Sequence, residues 1–125
     1  MDDVIHPAET DFQAQEAQTR AVLARNGAAF ARGDLEAILA NYGEDAVVIR
    51  PDRVYRGLEA IRGMFQDVLA NFEGFVPQGS SLTVAGRFAL MTWTASSGSG
   101  RIVQGVDTFV IENDCIVAQS YLGAL

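Results

Sequence analysis

The sequence predicts an α+β domain, a curved antiparallel sheet wrapped by three helices around an internal pocket. Three observations predict it. Segments with a helical apolar period fill the first part of the chain and stop at glycines. The last third is a series of strand-like runs joined by hairpin signals. One of those runs carries a single carboxylate, Asp107, in an otherwise apolar row.

Residues 1–10 mix acidic side chains with His6 and Pro7 and show no period, so they read as a flexible N-terminal tail ahead of a single domain at 11–125. A helix is expected over residues 11–32, with Val22, Leu23, Asn26, Ala29 and Phe30 on one side. Gly33 ends it, and Asp34 caps a second helix whose stripe is Leu35, Ile38, Leu39 and Tyr42, closed by Gly43. Residues 46–50 form a β-branched strand that ends in a turn at Pro51, Asp52 and Arg53. After Gly57 the helical period returns through Leu58, Ile61, Phe65, Val68, Leu69 and Phe72, until Gly74. Strands follow at residues 81–85, 88–95, 102–111 and 115–122, separated by turn residues that include Gly86, Gly100, Asn113 and Asp114.

Composition narrows the function classes. A chain of 125 residues suits one core and is short for two ordinary domains. With 49% hydrophobic and 20% charged residues it has the profile of a folded globular protein. The net charge of −7 repels phosphate backbones and anionic headgroups, which argues against nucleic acid and membrane surfaces as partners. The start Met1, Asp2, Asp3 lacks the basic and apolar regions of a signal peptide, so a cytoplasmic location is expected. Cys115 and His6 are each the only residue of their type, which leaves no cluster of the kind zinc requires. No metal site and no cofactor are expected, and no glycine-rich phosphate loop joins a strand to a helix.

Alternation along residues 102–111 puts Val103, Gly105, Asp107, Phe109 and Ile111 on one face. If that face meets the helices, burial raises the Asp107 pKa and suits the group to proton transfer. The alternative is a structural carboxylate that accepts hydrogen bonds from a neighbouring loop or helix end. Arg50 shares a face with Ala46 and Val48. It either points inward, as a counter-ion that offsets the burial of Asp107, or extends past the rim into solvent. Asn26, between Val22 and Phe30, offers a hydrogen bond to a ligand carbonyl or hydroxyl, or satisfies neighbouring backbone. Tyr42, Tyr55, Met91 and Trp93 either line a pocket or pack as core. Val22, Val48, Phe65, Phe109 and Ser120 complete the expected ligand-binding set.

The run Gly33, Asp34, Leu35, Ile38, Asp45, Ala46, Val48, Pro51, Gly57, Ala60, Ile61 and Arg62 resembles the ketosteroid isomerase and SnoaL-like polyketide cyclase group. That group belongs to the nuclear transport factor 2-like superfamily, and the resemblance extends over residues 15–123. It implies a cone-shaped, cystatin-like α+β barrel with a deep apolar cavity, assembled as a homodimer through the outer face of the sheet. Ketosteroid isomerases pair a helix-one tyrosine and a protonated aspartate as an oxyanion hole, with a second aspartate as base. The oxyanion aspartate falls on Asp107, within Val106, Asp107, Thr108 and Phe109. The tyrosine position falls on Asn26 and the base position on Arg50, which keeps its charge and cannot be a carboxylate base. Arg50 is instead suited to anchor an anionic or enolate-like group.

Two readings follow. One is an isomerase, cyclase or hydrolase-like enzyme of a small hydrophobic molecule, with Asp107 as acid or base and Arg50 and Asn26 positioning an oxygen. The other is a non-catalytic ligand-binding or dimerisation module in which Asp107 is structural.

Overall fold

The computed structural model describes residues 7–123. Helix α1 spans Pro7–Ala31. It starts four residues before the expected boundary, at a proline whose fixed φ and missing N–H suit a first helical turn. Residues 1–6 of the expected tail lie outside the described residues. Gly33, at φ +66°, ends the helix in a Schellman turn: its N–H meets the Phe30 carbonyl at 2.9 Å, and the Asp34 N–H meets that of Ala29 at 3.0 Å. The Asp34 carboxylate then accepts from the Ala37 N–H at 3.1 Å and starts α2, Leu35–Leu39.

Strand β1, Tyr42–Arg50, begins where the second helix was expected to continue. Sheet pairing overrides the helical stripe here: the Asn41 carbonyl accepts from the Ile116 N–H at 2.8 Å, and Tyr42 pairs with Ile116. Pro51 and Asp52 turn the chain back into β2, Arg53–Arg56, a strand not expected from the sequence, which begins at the last of the three expected turn residues. Helix α3 follows at Gly57–Asn71, then β3 at Phe75–Ala85, β4 at Phe88–Ser97, β5 at Ile102–Glu112 and β6 at Cys115–Gly123. β3 starts six residues before the expected boundary because its first half, interrupted by Pro77 and Gly79 and largely exposed, shows no alternation, as an edge strand need not.

The six strands form one sheet in the order β2-β1-β6-β5-β4-β3. All neighbours are antiparallel except β1 and β6, which run parallel. The sheet's inner face and the apolar sides of the helices share one core. Val22 of α1, Ile38 of α2 and Ile61 of α3 meet Val48, Ile111 and Ile116 of the sheet, all fully buried. The period of α3 is visible in this core, since Ile61, Met64, Phe65 and Val68 are its buried residues. The opposite face stays open and carries Ile49, Val54, Leu90, Val106 and Leu122, all exposed. Among the described residues no helix is long and apolar enough to cross a membrane.

Candidate functional site

Alternation along β5 points Val103, Gly105, Asp107, Phe109 and Ile111 toward the helices, and all five are buried. Asp107 is 6% exposed. In register it faces Met91 of β4 on one side and Tyr121 of β6 on the other. Both carboxylate oxygens accept hydrogen bonds. Trp93 Nε1 donates to Oδ1 at 2.9 Å, and Gln119 Nε2 donates to Oδ2 at 2.8 Å.

The Gln119 amide is itself oriented by Tyr42, whose hydroxyl donates to Gln119 Oε1. Burial, and then the nearby Asp107 charge, push the Tyr42 pKa far above the phenol range against a hydrogen bond from Asn26. Tyr42 therefore stays protonated and stays a donor. With Oε1 occupied, the Gln119 N–H is left to point at Asp107. The buried polar groups form one directed line, Tyr42 to Gln119 to Asp107, with Trp93 donating from the other side.

Burial drives the Asp107 pKa up. The hydrogen bonds from Trp93 and Gln119 and the charge of Arg50 pull it down, and burial prevails. Arg50, at the end of β1, turns inward: its guanidinium lies 4.6 Å over the centroid of the Tyr121 ring. A carboxyl held in this way keeps its proton to a higher pH than an ordinary aspartate. It can donate that proton, or a hydrogen bond, to an oxygen beside it.

The other expected site residues divide. Val22, Val48, Phe65 and Phe109 are buried core, with Phe65 edge-on to Tyr42 at 5.6 Å. Met91, Tyr55 and Trp93 are half-buried, and Arg53 covers the Tyr55 ring at 4.9 Å. Asn26 Oδ1 accepts from Asn41 Nδ2 at 3.4 Å, so its place is beside Tyr42, one step behind Gln119. Ser120 is a correction. It lies on the outer face, where its hydroxyl bonds that of Thr108. A β-bulge is the reason: the pairs Glu112 with Cys115 and Ile111 with Ile116 give way to Val110 with Ala118, a shift of one residue. An unbroken count from the hairpin pairs Asp107 with Ser120; the bulge brings Tyr121 there instead.

Sequence reasoning therefore missed Gln119 and Tyr121, the two β6 residues that matter most at the site. The signal for them was the polar Gln119 and aromatic Tyr121 at alternate positions, readable only with the bulge placed.

Rings crowd the space in front of Asp107. Trp93 meets Phe72 edge-on at 5.3 Å and Tyr121 at 6.4 Å, and Phe72 meets Phe30 at 5.6 Å. A hollow of about 680 Å³ is lined by Thr92, Thr94, Gln104, Val106 and Leu122, whose side chains are on the opposite face from Asp107, and also by Trp93, Gly105 and Gly123. Among the described residues no three His, Cys, Asp or Glu side chains gather to hold a metal ion.

Three of the solved structures similar to this chain illustrate the likeness. A steroid delta-isomerase from Pseudomonas aeruginosa is 26% identical with a TM-score of 0.71, over 88% of this chain and 82% of that one. A nuclear transport factor 2-like protein from Burkholderia xenovorans LB400 is 18% identical with a TM-score of 0.66, over 87% and 91%. An uncharacterized cystatin-fold protein from Novosphingobium aromaticivorans is 15% identical with a TM-score of 0.70, over 83% and 97%. No curated protein matches. The SnoaL-like domain matches residues 23–119, nearly the whole span from α1 to β6, and the chain belongs to that family.

Proposed function

We propose that this protein binds a small hydrophobic molecule on the inner face of its sheet and that Asp107 is the acid or base at one of that molecule's oxygens. The reading is of an isomerase- or cyclase-type enzyme in which a neutral Asp107 donates to a carbonyl oxygen as negative charge builds on it. The observation that carries it is the buried Asp107 carboxyl, its pKa raised by burial, on the face that the helices cover. Arg50 supports it by placing a fixed positive charge at the same site, over Tyr121. The likeness to a steroid delta-isomerase at 26% identity supports it as well. Arg50 stands where those enzymes carry their base, so the two-aspartate route is not part of the proposal. Asn26 serves indirectly, through Tyr42 and Gln119.

One observation favours a second reading. Trp93 and Gln119 already engage both oxygens of Asp107, as in a carboxylate that ties strands together. Asp107→Asn, assayed for 2-naphthol binding across pH and for thermal stability, separates the two. A proton-bearing site predicts that the wild-type protein binds 2-naphthol and that the variant loses about tenfold or more of that affinity. A purely structural carboxylate predicts no binding by either protein and a stability loss of about 1–3 kcal/mol in the variant.

The molecule acts in the cytoplasm as a homodimer joined through the outer face of the sheet. The row of exposed apolar side chains there, Ile49, Val54, Leu90, Val106 and Leu122, supports the dimer. Sedimentation at micromolar concentration tests it, and cell fractionation tests the location.

A further inference from the structure

Asp107, Tyr121, Arg50 and Arg53 stand in one row across neighbouring strands of the inner face. Asp107 pairs with Tyr121 between β5 and β6, and Arg50 pairs with Arg53 between β1 and β2. The Ile49 and Ser120 pair joins β1 to β6, and one residue further on the Arg50 guanidinium lies over the Tyr121 ring at 4.6 Å. With strands about 4.8 Å apart, roughly 14 Å separates the backbones of Asp107 and Arg53.

Like charges directly opposite on neighbouring strands repel, so an arginine pair closing a hairpin calls for a reason. Arg25, Arg32, Arg62 and Arg87 each meet an acid, in Asp114, Asp34, Glu36 and Glu112. Arg53 forms no ion pair with a described carboxylate, Asp52 in the adjoining turn included. Its guanidinium lies instead over the Tyr55 ring at 4.9 Å. A ring takes up the flat face of a guanidinium and leaves the N–H edge, which a planar carboxylate fits. In a chain of net charge −7 the general field turns anions away, so an anion is held only where cations gather.

We infer that the molecule bound on the inner face carries a carboxylate, which Arg50 and Arg53 hold between them at the β1–β2 end of the row. Its apolar body rests against the half-buried Tyr55 and runs along the row toward Asp107. The ligand class is therefore a cyclic carboxylic acid, bound as its anion. Arg53 is the residue that selects for the anion, because it stands furthest from Asp107 and has no acid of its own. The inference rests on the inner-face binding proposed above and names the group at the ligand's far end.

Titration calorimetry at neutral pH tests this with 2-naphthoate, with 2-naphthamide, which has the same rings and a neutral end, and with 2-naphthol. The proteins are the wild type, Arg53→Gln and Arg56→Gln. Arg56 pairs with Val47 on the outer side of the same strand, so its loss removes an equal charge without touching the inner face. The wild-type protein is expected to favour 2-naphthoate over 2-naphthamide by about tenfold. Arg53→Gln is expected to lose about fivefold for 2-naphthoate, as an exposed guanidinium–carboxylate pair does, and to bind 2-naphthamide unchanged. Arg56→Gln is expected to bind both as the wild type does. No loss in Arg53→Gln, or an equal loss in both variants, overturns the role of Arg53. If the wild-type protein binds 2-naphthol but does not favour 2-naphthoate over 2-naphthamide, the carboxylate is wrong and the inner-face site stands. If it binds none of the three, the inner-face site falls and this inference falls with it.

Discussion

Trp93 Nε1 reaches Asp107 Oδ1 at 2.9 Å only because its indole lies across Gly105, the residue it faces in the β4–β5 register. Strand alternation would admit any side chain at position 105, but a Cβ there would lie 2.2 Å from the indole. Gly105→Ala is therefore expected to expel the indole and break its hydrogen bond to Asp107. The cost should be about 1–3 kcal/mol, read by denaturant unfolding. Trp93 emission should shift to the red as the ring reaches water. Unchanged stability and emission would show that the indole has other room.

Tyr42 fixes the direction of the Gln119 amide, and through it the donor aimed at Asp107 Oδ2. Tyr42→Phe leaves Gln119 Oε1 buried and unpaired. A loss of about 1–3 kcal/mol is expected from chemical unfolding. The ring itself, edge-on to Phe65, is retained in that variant, so a larger loss would point to repacking rather than to the missing hydroxyl.

Asp107 also gives stability a pH dependence with a definite sign. Its folded pKa is raised by burial above the unfolded value. The folded state therefore binds the proton more tightly, and this contribution is complete below the ordinary aspartate range. It is lost as pH rises through the raised folded pKa. Asp107→Asn has no such proton. The difference in melting temperature between wild type and variant should move in the variant's favour as pH rises across that window. A difference that is flat with pH, or that moves the other way, would mean that the carboxylate is stabilised in its charged form.

The outer face offers a prediction independent of Asp107. Leu122 is 60% exposed and faces Val106 across β5 and β6. Leu122→Glu is expected to convert the proposed homodimer into a monomer in sedimentation experiments, while circular dichroism stays that of the folded chain. A wild-type protein that sediments as a monomer at every concentration would remove the dimer from the account.

Much of this was legible in the sequence, and the parts that were not share a cause. Alternation along β5 put Asp107 inside, and the glycine and aspartate at 33 and 34 marked the corner between α1 and α2. Those signals are local. Tyr42 was misplaced because its helical spacing was real and only the distant strand β6 overrules it. The first half of β3 was invisible because an edge strand facing water has no apolar period to show. Ser120 was expected at the site and Tyr121 is there instead, because a bulge leaves no mark on the residues it displaces, yet it reverses which of them faces the core. What local pattern determines could be read; what pairing between distant segments determines could not.

Burial in the fold makes Asp107 hold its proton more tightly than water would. The ¹³C shift of its carboxyl carbon, followed by NMR across pH and assigned by its loss in Asp107→Asn, measures this directly. The account predicts a midpoint above that of an ordinary aspartate, near 3.9. A midpoint at or below that value would contradict it.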